Sequence, residues 1–247
     1  MSITSNDKVA IVTGASRGIG AAIAQRLARD GFTVVINYAG NVAEAEALSA
    51  AIEKEGGKAL TAQADVSDPR AVERMWGAAE AAFGGVDVLV NNAGIMRLAT
   101  LAEGDDELFD HQIAINLKGP RNTMKLAAQR LRDGGRIINL SSSVVGLYQP
   151  TYGVYAATKA GVEAMTHVLS KELRGRNITV NAIAPGPTAT ALFLDGKPQA
   201  VIDTLTKLAP LERLGQPEDI ANAVAFLAGP DGSWINGQVL RANGGII

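Results

Sequence analysis

Short apolar runs rich in β-branched residues alternate along the chain with longer alanine-rich stretches whose apolar positions recur at helical spacing. The runs are KVAIVT (8 to 13), TVVIN (33 to 37), KALTAQAD (58 to 65), VDVLVN (86 to 91), GRIINLS (135 to 141), ITVNAIA (178 to 184) and GQVLRA (237 to 242). Helices are predicted between most of them, among others over 18 to 30, 42 to 55, 69 to 83 and 154 to 174. Regular strand, helix, strand alternation requires crossover connections. It therefore predicts a mostly parallel seven-stranded sheet covered by helices on both faces, a doubly wound α/β fold with its site at the carboxyl ends of the strands. No repeat or proline-rich linker divides the 247 residues, so residues 1 to 247 are expected to form one domain. One region breaks the rhythm: residues 185 to 216 hold four prolines and three glycines around a short amphipathic stretch. Lying after a strand on the site edge, this region is expected to be a substrate lid or pocket wall, with a plain surface excursion as the alternative.

Composition narrows the classes. Hydrophobic residues make up 47% of the chain, enough for a large core, and 23 Lys plus Arg face 25 Asp plus Glu without a basic run, which argues against a nucleic-acid partner. With no cysteine, disulfides and thiolate chemistry are excluded, and His111 and His167 lack any metal-ligand spacing, so no metal is expected. The amino terminus, MSITSNDKVAIVTG, has neither a basic segment nor a long apolar run, and no later segment approaches eighteen apolar residues. A soluble, cytoplasmic protein without a membrane partner is expected.

The first strand leads directly into TGASRGIG, Thr13 to Gly20, and then into a helix. Glycines at 14, 18 and 20 suit a tight turn, close approach of backbone to a pyrophosphate and close helix packing, with the helix amino terminus facing the anion. The second strand ends in Asn37, where an NAD site usually carries an acidic residue, and Arg17 is placed to meet a 2'-phosphate. NADPH is therefore favoured over NADH, although Arg17 could equally be a solvated loop charge. Asp65 and Val66 follow the third strand, and Asn91 to Gly94 (NNAG) the fourth, where they could contact adenine and ribose or simply make turns.

The fifth strand ends in NLSSS, Asn139 to Ser143, and YGVYAATKAG follows at 152 to 161. Tyr155 and Lys159 are i and i+4 on one helix face; neither Tyr148 nor Tyr152 has a lysine at that spacing. Positive charge beside the Tyr155 phenol should lower its pKa and suit it to exchange a proton with a carbonyl oxygen as hydride moves. The strand-end serines could hold that oxygen, and Tyr148 and Tyr152 remain possible pocket walls. No Gly-x-Ser-x-Gly elbow is present, which disfavours a serine hydrolase.

Taken together, TGASRGIG, NNAG, Ile115-Asn116, the serine segment, YAATK, Pro185-Gly186 and the closing GQVLRANGG resemble the short-chain dehydrogenase/reductase family from Lys8 onward. The resemblance implies a single-domain Rossmann fold and a catalytic tetrad. In it Asn116 holds a water linked to the lysine, Ser142 orients the carbonyl, Tyr155 is the general acid, and Lys159 binds nicotinamide ribose. Ser142 lies thirteen residues before Tyr155, as in family members, whereas SVVG from Ser143 resembles bacterial 3-oxoacyl-carrier-protein reductases in which the leading serine is catalytic. Dinucleotide contacts are implied for Gly14, Ser16, Arg17, Gly18, Ile19 and Gly20, for Asn37, Asp65, Val66, Asn92, Ala93 and Gly94, and for Tyr155, Lys159, Pro185 and Gly186. Thr188 and Thr190 complete the set, Thr188 standing where the family usually has an aliphatic residue. VVINYAGN resembles NADPH-dependent polyketide naphthol reductases of the family. Members are most often tetramers, built on the helices after the fourth and fifth strands and on the carboxyl-terminal segment.

The expected protein is thus an NADPH-dependent carbonyl reductase, acting on a ketone or aldehyde and assembled as a homotetramer. A 3-oxoacyl-carrier-protein reductase is the main rival and would need a basic docking patch, for which Arg121, Lys125 and Arg130 are the candidates. The other rivals are an NAD-dependent alcohol or sugar dehydrogenase and a non-catalytic dinucleotide-binding regulator.

Overall fold

A computed structural model describes residues 8 to 247; the start of the amino-terminal segment, read above as lacking a leader, lies outside them. Its strands are β1 (Val9–Val12), β2 (Thr33–Tyr38), β3 (Lys58–Gln63), β4 (Val88–Asn91), β5 (Arg136–Leu140), β6 (Thr179–Pro185) and β7 (Val239–Ala242). They form one sheet in the order β3-β2-β1-β4-β5-β6-β7, and every pairing is parallel. The order reverses direction after β1, and that reversal opens the crevice in which such sheets bind ligands.

The helices are α1 (Gly18–Arg29), α2 (Val42–Lys54), α3 (Pro69–Phe83), α4 (Asp106–Ile113), α5 (Gly119–Arg130), α6 (Val144–Leu147), α7 (Gly153–Glu172), α8 (Ala191–Leu194), α9 (Gln199–Leu208) and α10 (Pro217–Ala228). All seven expected strands are present, shifted at their ends by up to two residues. The third stops at Gln63 because Asp65 then folds into a turn, its Oδ1 accepting from Ser67 N at 2.8 Å.

Alternation along the strands fills two cores. Ala10 and Val12 of β1 with Val34 and Ile36 of β2 face α1, α2 and α10, whereas Val9, Ile11 and Val35 face the Trp76 side of α3 and the inner faces of α5 and α7. Because both faces are covered, β1 and β2 read as continuous apolar runs.

Asn37 shows how the polar exceptions are used. It is 1% exposed, accepts from Gly14 N at 3.1 Å through Oδ1 and donates through Nδ2 to Ala62 O at 3.1 Å and Ala64 O at 3.0 Å. One side chain thus joins the glycine turn, β2 and the end of β3. Replacing it by leucine, of similar size, should cost about 3 kcal/mol, since buried backbone groups lose their partner. Equilibrium urea unfolding of Asn37→Leu checks this, and a loss below about 1 kcal/mol would contradict the role.

Candidate active site

The site is built where β1, β4, β5 and β6 end. Gly14 and Gly18 have φ of +60° and +57°, conformations that glycine adopts without the strain a side chain brings. At Gly20 the constraint is space, since a Cβ would lie 2.4 Å from Gly14 O and 2.5 Å from Asn92 Nδ2. Side chains of Asn41, Asp68 and Asp105 cap α2, α3 and α4, but no side chain caps α1 and its first turn has no acidic residue. The amino end of α1 therefore keeps free N–H groups under a glycine cradle, which fits a dinucleotide pyrophosphate. Arg17, immediately before α1, is exposed and forms no ion pair among the described residues.

Thr13 and Asn92 tie this turn to the NNAG loop. The Thr13 hydroxyl accepts from Asn92 N at 3.0 Å and Ala93 N at 3.1 Å, and Asn92 Nδ2 donates to Thr13 O at 2.9 Å and Gly14 O at 3.0 Å. Ala93 packs so closely on Gly14 that a Cβ there would meet its Cα at 2.8 Å. Gly94 passes over Lys159: a Cβ on it would be 3.7 Å from Lys159 Nζ. From the other side, Thr190 caps α8 and reaches Gly18, bringing the start of the 185 to 216 segment against the glycine turn.

Not every expected dinucleotide residue faces the crevice. Asn37 has its amide engaged within the sheet, so its place at the end of β2 serves to position Gly14 rather than to present a polar group to a ribose. Val66 is buried against Gly119, and its carbonyl accepts from Asn122 Nδ2 at 3.0 Å. Thr188, by contrast, borders the same cavity as Tyr155 and Lys159, its hydroxyl donating to Gly186 O at 2.9 Å.

Tyr155 and Lys159 stand on α7 one turn apart, with Lys159 Nζ 5.7 Å from the phenol ring centroid. Lys159 is 5% exposed and donates to Leu140 O at 2.8 Å; burial lowers its pKa to about 8. The expected lowering of the tyrosine does not occur in this arrangement. Burial pushes the Tyr155 phenol up to about 12, opposed by the Ser142 hydroxyl and reinforced by Tyr152. The reason is that the apolar wall penalises phenolate, while the ammonium is itself weakened by burial and directed at a carbonyl. By surface area the ring is partly buried, its open side facing a cavity. At neutral pH the Tyr155 phenol therefore keeps its proton.

The three serines separate cleanly. Ser141 donates to Glu163 Oε1 at 2.5 Å, and Ser143, 2% exposed, donates to Ala184 O at 3.2 Å and accepts from Asn243 Nδ2 at 3.0 Å. Ser142 Oγ accepts only a long bond from Val144 N, at 3.4 Å, and borders the same cavity as Tyr155. Asn116 lies fully buried in a π-helical turn, Ala114–Lys118, between α4 and α5; its side chain accepts from Ile95 N and donates to Ile95 O, both at 2.8 Å. That clamp fixes the loop after Gly94.

Ser142, Tyr155 and Lys159 border one cavity that opens to solvent. Tyr152 lines it and packs edge-on against Tyr155 at 6.4 Å between ring centroids, whereas Tyr148 is 79% exposed outside it. Sequence reasoning missed Thr13, Glu163, Met96 and Ile246. Only Glu163 carried a signal, at the i+8 position from Tyr155 on the same helix face. No cluster of metal-ligating side chains occurs among the described residues, and none of their helices is long and apolar enough to cross a membrane.

Comparison with known proteins gives the class. A family model described as enoyl-(acyl carrier protein) reductase matches residues 14–247. A short-chain type dehydrogenase/reductase of Picea abies is 46% identical, covering 96% of this chain and 92% of its own length. An Arabidopsis thaliana protein named NADPH-dependent aldehyde reductase-like protein, chloroplastic, is 44% identical over 97% of this chain and 94% of its own. Among solved structures, a short-chain dehydrogenase from Burkholderia cenocepacia J2315, crystallised with NADP, superposes with a TM-score of 0.93 at 39% identity, covering 98% of both chains. The chain belongs to the short-chain dehydrogenase/reductase family of oxidoreductases.

Titration of the buried pair should be visible in stability. With Lys159 lowered from 10.5 to about 8, the folded chain holds fewer protons than the unfolded one between those values, so stability rises with pH there. Tyr155, raised from 10.0 to about 12, has the opposite sign and removes stability above pH 10. Urea unfolding should show the wild type gaining about 2 kcal/mol relative to Lys159→Met between pH 8 and pH 10. Parallel curves for the two proteins would contradict the buried-ammonium description.

Proposed function

We propose that this protein is an NADPH-dependent carbonyl reductase that converts a ketone or aldehyde to an alcohol. The observation that carries the reading is the convergence of Ser142, Tyr155 and Lys159 on one cavity beside an uncapped helix end with a glycine cradle. Gly14, Gly18, Gly20 and the amino end of α1 would hold the pyrophosphate, Arg17 the 2'-phosphate, and Lys159 and the 185 to 190 segment the nicotinamide half. When bound, the reduced nicotinamide supplies the hydride.

Ser142 donates a hydrogen bond to the carbonyl oxygen and fixes its position. Tyr155, neutral at working pH, gives its proton to that oxygen as negative charge develops on it. Lys159 offsets the charge left on the phenolate. Asn116 keeps Gly94 and Ile95 in place above the lysine, and residues 185 to 216 act as a lid that excludes water.

A homotetramer in the cytoplasm is part of this reading. The assembly is supported by apolar side chains left in solvent near the carboxyl-terminal segment, with Trp234 97% exposed and Val168 of α7 and Leu240 of β7 about half exposed. A second reading, reduction of a carrier-bound 3-oxoacyl group, draws on a Staphylococcus aureus relative named 3-oxoacyl-[acyl-carrier-protein] reductase FabG, 44% identical over 97% of this chain and 98% of its own length. Its basic patch is weakened because Arg130, one of three candidate cations, is paired with Glu80.

Tyr155→Phe should lower kcat by at least about a hundredfold while NADPH still binds, as read by nicotinamide fluorescence. Full activity would overturn the assignment. Arg17→Glu should lower kcat/KM with NADPH about tenfold or more and leave NADH much less affected, because a phosphate contact is replaced by repulsion. Equal losses with both coenzymes would argue against a 2'-phosphate contact.

A further inference from the structure

The cavity above Ser142 and Tyr155 is walled by Met96, Val144, Leu147, Phe193, Leu205 and Ile246, apolar side chains drawn from four stretches of chain far apart in sequence. Among the described residues the only charged side chain in that wall is Lys159, whose ammonium is turned to Leu140 O. Other cations in the neighbourhood are held elsewhere. Lys197 donates to Phe193 O at 2.5 Å and sits 4.5 Å from the centroid of the Phe193 ring. Arg213 is paired with Asp219, and together with Arg241 it lines a separate cavity behind Gly186. Tyr152 adds a hydroxyl that burial keeps neutral, and Gln149 adds an amide.

A substrate carboxylate entering this space would lose its water and meet no cation in exchange, whereas an aryl or alkyl group would gain from leaving water. We propose that the site takes neutral carbonyl compounds bearing an apolar aryl or alkyl substituent and rejects those with a carboxylate beside the carbonyl. This inference rests on the carbonyl-reductase reading above. It also separates two groups of substrates that share the same reacting bond: 2-oxo acids are excluded, and their esters are accepted.

The test uses a matched pair, methyl benzoylformate and benzoylformate, with NADPH and the full chain. The ester should be favoured at least about a hundredfold in kcat/KM, since rejection reflects a desolvated and unpaired charge. Leu192, half exposed on α8 at the cavity rim, offers a converse variant: Leu192→Arg should lower that preference about tenfold or more by supplying the missing cation. Comparable use of acid and ester by the wild type would overturn the inference alone, and so would an unchanged preference in Leu192→Arg. Failure to oxidise NADPH with either compound would overturn the carbonyl-reductase reading and the inference with it.

Discussion

The Lys159 ammonium, almost wholly buried, donates to the Leu140 carbonyl at 2.8 Å, and this bond ties the first turns of α7 to the carboxyl end of β5. Everything reactive is placed relative to it. The same strand end delivers Ser142, and the same helix delivers Tyr155 one turn earlier. A buried ammonium without a carboxylate partner is costly, and that cost is the usual mark of a functional position. Glu163, one turn beyond Lys159, forms a second bond between α7 and the strand end through Ser141, so the helix and β5 are joined at two heights.

A second set of buried polar bonds makes the dinucleotide crevice rigid before any ligand arrives. Thr13, Asn37 and Asn92 turn their hydrogen-bonding groups toward neighbouring backbone, closing the glycine turn against β2, β3 and the NNAG loop. Deeper in, Asn91 donates to Asn139 Oδ1 at 2.8 Å and Asn139 donates to Thr166 Oγ1 at 2.8 Å, linking β4, β5 and α7. Fully partnered networks of this kind hold one geometry, which the proposed alignment of a hydride donor and a proton donor requires. The apolar substrate cavity differs in origin: its wall comes from chain segments that are far apart in sequence and share no periodic pattern.

Much of this was legible along the chain because the signals are local. Seven apolar runs at strand length, separated by helical periodicity, determine a parallel α/β sheet, since two-sided burial and crossover handedness leave few other arrangements. The glycine spacing after the first strand and the i, i+4 pair on α7 likewise depend on backbone geometry over a few residues, so both could be read directly. Tertiary structure alone decided the rest. Asn37 sits where a ribose contact was expected, yet the neighbouring strand captures its amide. Tyr155 was expected to be acidified by its lysine, yet burial governs both groups and leaves a neutral phenol. Of three adjacent serines, only the directions of their hydroxyls distinguish Ser142, and those directions are set by Glu163, Ala184 and Asn243, between 22 and 100 residues away. Local spacing thus determined the fold and the pairing of Tyr155 with Lys159 on one helix face, whereas burial and long-range hydrogen bonding, which depend on the folded surroundings, decided protonation, orientation and the shape of the cavity.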